Sequence, residues 1–334
     1  MDVSLIESTI ASQPIGGVLT SQLIAVGDVF QQHLASSDRE INELCRHIER
    51  YRGKMLRPTL VLLSGLAVTG SETSEDLDKK HLLLAAVVEM IHMATLVHDD
   101  ILDESEVRRG GATVNSLNGN EVAVMLGDYL ISKAFHLCST MGDPSINLAL
   151  GEVTNTLCEG EVIQLHRRND MDLPEDVYLD LVSRKTGSLI GACCRLGSVL
   201  SNGTEKQCEA LDEFGRFMGV AFQITDDVLD LFGETAVTGK TVGRDLDLGK
   251  MTLPLLRLRD ELGSQGRDEF DRVVEQRDRT GLQKLLDGSQ AMESTTNSAR
   301  QMVEQAKSRL SVLPEGPALE LMLQLADGVL TRQS

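Results

Sequence analysis

Two acidic clusters of identical spacing, Asp99-Asp100-Ile101-Leu102-Asp103 and Asp226-Asp227-Val228-Leu229-Asp230, lie far apart in the chain, each after an apolar run. On a helix, residues four apart stack along one face. Asp99 then lies over Asp103 and Asp226 over Asp230, while Asp100 and Asp227 turn to the side. Like charges at that spacing repel, and near a helix end they cost stability unless a cation neutralises them. Hard carboxylate oxygens suit Mg²⁺ better than zinc or copper. One such cluster is as easily a solvated acidic face. Two copies, each on an apolar helix, favour metal binding.

Cations flank these clusters. Arg108 and Arg109 follow the first one, inside Asp103-Glu104-Ser105-Glu106-Val107-Arg108-Arg109-Gly110-Gly111. Their planar forks match phosphate oxygens, and a diphosphate bridged by Mg²⁺ to carboxylates would satisfy both sets of charges. Either arginine alone could equally pair with Glu104 or Glu106. In Gly53-Lys54-Met55-Leu56-Arg57-Pro58, Lys54 and Arg57 share a face at a helix start, where unpaired N–H groups and the helix dipole attract phosphate. Lys185-Thr186-Gly187 and the loop cations Lys240, Arg244 and Lys250 complete the set; taken singly, each reads most simply as solvated surface.

Helices must position these groups. The chain has 334 residues, 41% of them hydrophobic but only 3% aromatic, with no Trp, so Leu, Val, Ala and Met do the packing. Helical periodicity runs over Leu19–Arg50, Arg57–Val68, Lys79–Leu102, Val122–Thr140, Ile146–Leu165, Pro174–Ser201 and Glu205–Phe232. It resumes over Leu253–Leu262, Arg267–Glu275, Thr280–Asp287, Met292–Leu310 and Ala318–Arg332. Pro58 suits a helix start, and Gly142-Asp143-Pro144 is a stop. Glu104–Asn120 reads as a loop, and Gly233–Lys250 as a mobile polar loop placed like a lid. Nothing resembles alternating strands. The expectation is an all-α fold, one domain over residues 1–334, with many helices around an apolar centre.

Charge and cysteines narrow the class. Asp and Glu total 51 against 32 Lys and Arg, a net charge of −19, which argues against nucleic acid or anionic membranes as partners. The six cysteines form no C-x-x-C pair and sit mostly in apolar helical patterns, as reduced thiols of a cytoplasmic protein do. The first residues lack a basic start and a long apolar core, so no secretory signal is expected. Leu82–Val97, interrupted by Glu89 and His92, reads as a buried core helix and not a membrane span.

Taken in order, these segments resemble the all-trans polyprenyl diphosphate synthases, which elongate isoprenyl chains head to tail. The likeness rests on Gly53-Lys54-x-x-Arg57-Pro58, the first acidic cluster with Arg108-Arg109-Gly110, and Glu159-Gly160-Glu161 with Gln164. It continues through Lys185-Thr186, then Phe222-Gln223-Ile224-Thr225 with the second cluster, Gly239-Lys240, Gly243, Asp245-Leu246, Gly249-Lys250 and Thr252-Leu253-Pro254. It fades before about Leu19 and after Pro254. Arg52 stands where the family has a glycine, and Gly187 where alanine is common.

The resemblance implies a chemistry. Asp99 and Asp103 would bind two Mg²⁺ ions and Asp226 a third, all on the allylic diphosphate, with Asp100, Asp227 and Asp230 in support. Arg108, Lys185, Thr186, Gln223 and Lys240 would hold the same diphosphate. Lys54, Arg57, His92 and Arg109 would hold isopentenyl diphosphate. Ionising the allylic C–O bond needs the departing negative charge stabilised by metals and fixed cations, away from water. The released diphosphate would take the proton lost afterwards, so no protein base is assigned. His98 is read as structural.

Product length should follow the depth of the cavity below Asp99. Ala94 and Thr95, one turn upstream, are small where a bulky aromatic would close it, so a product longer than fifteen carbons is expected, with Phe135 as its floor. A homodimer is implied by the family alone. A class I terpene cyclase would share the aspartates and Mg²⁺ but would not need Lys54, Arg57 and Arg109. An inactive partner subunit would be expected to lack aspartates that are complete here.

Overall fold

The computed structural model describes residues 15–331, apart from 51, 52, 54, 72, 74–76 and 233–242. Lys54, Lys240 and the Arg52 departure lie outside the described residues. The elements run α1 (Gly16–Leu34), α2 (Arg39–Glu49), α3 (Leu56–Thr69), α4 (Lys79–Leu102), β1 (Val107–Arg108), β2 (Gly111–Ala112), α5 (Val114–Asn118), α6 (Asn120–Ser139) and α7 (Pro144–His166). There follow α8 (Glu175–Val182), a π-turn (Ser183–Gly187), α9 (Ser188–Leu200), α10 (Glu205–Phe232), α11 (Arg244–Asp247), α12 (Leu253–Glu275), α13 (Arg279–Asp287), α14 (Ala291–Arg309) and α15 (Pro317–Asp327).

Local chemistry sets the boundaries. Asp78 caps α4 by accepting from the N–H of Lys80 (2.7 Å) and His81 (3.3 Å), while the His81 ring accepts from the Asp78 N–H. The His81 ring also reaches Gly197 O (3.2 Å) and Ser201 Oγ (3.1 Å), tying the start of α4 to the end of α9. Among the described residues α4 alone is long and apolar enough to cross a membrane, and 72% of that apolar window is buried inside the protein. Pro58 falls in the first turn of α3, as expected.

Four expectations are corrected. The helix read over Leu19–Arg50 is two: Asn42 hydrogen-bonds the Ser36 N–H and carbonyl, and this local exchange breaks the chain before Asp38. The loop at Glu104–Asn120 contains an antiparallel hairpin, Val107 opposite Ala112, and the short α5. Its two strands are only two residues long, too short for alternation to show. Their turn is Arg109-Gly110, both with positive φ (50° and 75°), a combination that matches hairpin twist. Pro174–Ser201 is interrupted by the π-turn. Within Gly233–Lys250, the described part includes the helical turn α11.

Buried side chains form two clusters. The larger gathers α1, α3, α4, α6, α9 and the first half of α10 with α14 and α15. The smaller unites α8, the second half of α10, α12 and α13 with the start of α14. α10 contributes to both. It crosses the π-turn at glycines: a Cβ on Gly219 would lie 2.8 Å from Gly187 Cα, so only small residues allow this approach.

Candidate active site

Both acidic clusters end their helices, α4 and α10, and neither helix has a basic residue in its last turn. A helix C-terminus is the negative end of the dipole, so carboxylates gathered there call for cations from elsewhere. The loop after α10 delivers one. Lys250 Nζ lies 3.1 Å from Asp103 Oδ1 and 3.5 Å from Asp245 Oδ1. Asp245 donates its N–H to Asp230 Oδ2 (3.0 Å), and Arg244 donates its N–H to Asp230 Oδ1 (3.2 Å). The chain Asp103, Lys250, Asp245, Asp230 thus joins the two clusters. Arg168 adds bonds to the Leu102 carbonyl (3.1 Å) and Asp103 Oδ1 (3.5 Å), and the Arg244 guanidinium donates to the Asp103 carbonyl.

The six aspartates divide by environment. Asp100 is buried, 2% exposed, and takes Arg108 Nε at 2.8 Å and Nη2 at 2.8 Å. Asp227, 4% exposed, accepts Tyr178 OH (2.6 Å) and Gln223 Nε2 (2.8 Å). Burial, then the Asp245 charge, drives its carboxyl well above the usual range against those two hydrogen bonds. Asp99 is pushed up to about 6, first by burial; Lys185 and Arg108 pull it back while Glu161 and Asp103 raise it. Asp230 also rises to about 6, by burial and then by Asp245. Asp226 adds its charge to Asp227, Asp230 and Asp245.

Lys185 and Thr186 sit on the π-turn, a local widening of the helix often found at functional sites. Lys185 donates to Gln164 Oε1 (2.6 Å) and pairs with Glu161; Thr186 donates to Gln223 Oε1 (3.1 Å). A cavity opens here, with Lys185, Thr186, Gln223, Asp227, Asp245 and Lys250 on its wall.

A second basic group lies near Arg108, whose charge reaches both His92 and Arg109. Arg57 and His92 are partly buried, with Arg57 Nε and His92 Nδ1 shielded from solvent, and neither atom meets a hydrogen-bond partner among the described residues. Burial, then Arg57, Arg109 and Arg108, hold the His92 ring well below its usual pKa, so it is neutral at pH 7. Arg109 packs on Gly53, where a Cβ would fall 2.5 Å from its Nη2. Buried Glu89, one turn before His92, offsets the charges of Arg57 and Arg109.

The residues read as setting product length are on neighbouring, packed helices. Ala94 is fully buried; Thr95 is half-buried and donates to the His92 carbonyl (2.8 Å). Phe135, on α6, is half-buried against the larger core. Two residues escaped the sequence reading of the site, Tyr178 and Arg168, which no pattern marks; Lys250 reads there as a loop cation and Glu89 only as an interruption of the apolar run.

Among the described residues no three carboxylate, imidazole or thiol side chains converge as a ready-made ion cage. A hard divalent cation is often held by one or two carboxylates together with waters and substrate phosphates. The donors on offer are all oxygens. Burial and like charge raise the proton affinity of Asp99, and a cation would relieve both.

The sequence profile of the family described as polyprenyl synthetase matches residues 38–287. The octaprenyl diphosphate synthase of Escherichia coli (strain K12) is 35% identical over 313 residues, covering 92% of this chain and 95% of the relative. A short chain isoprenyl diphosphate synthase of Methanothermobacter thermautotrophicus is 31% identical, covering 93% of this chain and 100% of the relative. The crystal structure of a polyprenyl synthase from Caulobacter crescentus CB15, complexed with calcium and isoprenyl diphosphate, superposes with a TM-score of 0.89 at 30% identity, covering 96% of this chain and 98% of that one. The chain belongs to the polyprenyl synthetase family, and it is a prenyltransferase that elongates all-trans polyprenyl diphosphates.

Proposed function

We propose that this single-domain enzyme condenses isopentenyl diphosphate with an allylic diphosphate at the junction of α4 and α10, giving products longer than fifteen carbons. The observation that carries this is the pairing of two unlike sites around Arg108. One is an acidic pair of helix ends, suited to a metal-bound diphosphate; the other is a basic group of Arg57, Arg109 and His92 with unpartnered shielded nitrogens, suited to a diphosphate without metal.

Asp99, Asp103 and Asp226 would hold Mg²⁺ ions, and such ions would supply positive charge against the departing diphosphate. Arg108, oriented by Asp100, and Lys185, Thr186, Gln223 and Lys250 bind the allylic diphosphate, with Lys240 expected beside them. Asp227 fixes the Gln223 amide, and Asp230 fixes the backbone that carries Asp245. Arg57 and Arg109, with Lys54, bind isopentenyl diphosphate. The neutral His92 ring adds a hydrogen bond without further charge. The apolar faces of α4 and α6 exclude water from the cationic carbon. The diphosphate, once released, is the base for the final proton.

Incubation of purified protein with Mg²⁺, labelled isopentenyl diphosphate and each short allylic primer tests this. Label is expected in products that, once dephosphorylated, run beyond the farnesyl length. No incorporation with any primer would overturn the reading, and a stop at fifteen carbons would overturn its length. Substituting Ala94→Phe should shorten the product. Exposed Leu117 (58%), Val124 (42%) and Met125 (64%) on α5 and α6 support a homodimer through that face, which sedimentation would detect.

A further inference from the structure

The turn after α7 touches both halves of the site. Arg168 bonds the Leu102 carbonyl and Asp103, at the end of the first acidic cluster. Its neighbour Asn169 donates its N–H to the Gly249 carbonyl at 2.7 Å, immediately before Lys250. Lys250 then donates its own N–H to the Asp245 carbonyl (2.9 Å) and sends its ammonium to Asp103. One short turn therefore spans from the first acidic cluster to the loop that follows the second.

That turn is fastened from outside the site. Arg277, in the α12–α13 connection, donates to Asn169 Oδ1 at 2.6 Å and to the Val274 carbonyl at 3.0 Å. Asn169, Gly249 and Arg277 all have positive φ (61°, 69° and 55°), and a Cβ on Gly249 would fall 2.2 Å from Asn169 Oδ1. Non-glycine residues in this backbone region are costly, and they persist where surrounding contacts enforce them. Here the enforced geometry leads straight to Lys250.

We infer that Asn169 and Arg277 are positioning residues that set the placement of Lys250 against Asp103, and so the affinity for the allylic diphosphate. This rests on the diphosphate reading of the site given above. Among the described residues, neither touches a group assigned to isopentenyl diphosphate, so the effect should fall on one substrate only.

Full-length Arg277→Ala, Asn169→Gly and the double variant test this. Asn169→Gly keeps the N–H donor and suits the positive φ, so it folds even if Arg277→Ala does not. Calorimetric binding of inorganic pyrophosphate with Mg²⁺ is expected to weaken about 3- to 10-fold in each single variant, while KM for isopentenyl diphosphate stays within about twofold. The double variant should match the worse single one, because both remove the same contact. Pyrophosphate binding unchanged in Asn169→Gly, or both substrates weakened alike, would overturn the inference alone. Wild-type protein that binds no pyrophosphate with Mg²⁺ would overturn the underlying site reading, and this inference with it.

Discussion

At the scale of single residues, the middle aspartates are committed before any substrate arrives. Asp100 is occupied by Arg108, and Asp227 by Tyr178 and Gln223. Tyr178→Phe should therefore act as a stability variant. It removes one of two hydrogen bonds to a buried carboxyl, and leaving such a group short of a partner costs about 1–3 kcal/mol. Urea unfolding at pH 7 should show a lower midpoint with an unchanged slope; an unchanged midpoint would mean that Tyr178 contributes nothing. By contrast Asp99, with no such bonds among the described residues, should tolerate Asn in the fold and lose turnover. The acidic clusters were visible in the sequence because charge spacing is a local property. Tyr178 and Arg168 were not: the first lies 49 residues from Asp227 and the second 65 from Asp103, and nothing local marks either. Glu89 and His92 were flagged as interruptions of an apolar run, which is how polar groups set into a core helix show in one dimension.

At the scale of elements, the helices were largely legible, because apolar periodicity and the Gly and Pro stops report burial directly. What was hidden lies where the backbone departs from α geometry. The π-turn keeps the apolar pattern of an uninterrupted helix, so Pro174–Ser201 read as one, yet the turn carries Lys185 and Thr186. Gly187 shows how tightly it is held. A Cβ there would lie 3.1 Å from the Arg216 carbonyl, close enough that the neighbour must give slightly. Alanine gains about 1 kcal/mol of helix propensity over glycine, which offsets that contact. Gly187→Ala should melt within a few degrees of the parent, whereas Gly187→Val, adding branches against the Arg216 backbone, should lose about 1–3 kcal/mol. Thermal unfolding of both variants decides; equal loss would mean that the contact with α10 is not limiting.

At the scale of the whole molecule, the site is a store of unfavourable charge that a bound cation would relieve. Asp99 and Asp230 rise from 3.8 to about 6 in the folded protein, so between those values the native state binds more protons than the unfolded one. Their contribution to stability is full below about 3.8 and is lost as pH rises through 6. Two histidines act in the opposite sense. His92 and His81 have lowered values, so the unfolded chain takes up protons first as pH falls, and stability drops below about 6.5. A pH profile of the parent alone mixes the two, but Asp99→Asn separates them. With chelator present, this variant should melt above the parent at pH 7.5 by the equivalent of about 1–3 kcal/mol. The gain should shrink as pH falls toward 5. Mg²⁺ with pyrophosphate should reverse the order at pH 7.5. At a hundredfold excess over Kd, ligand stabilises the parent by about 2.7 kcal/mol, and a variant lacking this carboxylate should gain far less. If Asp99→Asn melts no higher than the parent without metal, its carboxylate is not a strained charge. If it gains as much from Mg²⁺ and pyrophosphate, Asp99 is not where the cation sits.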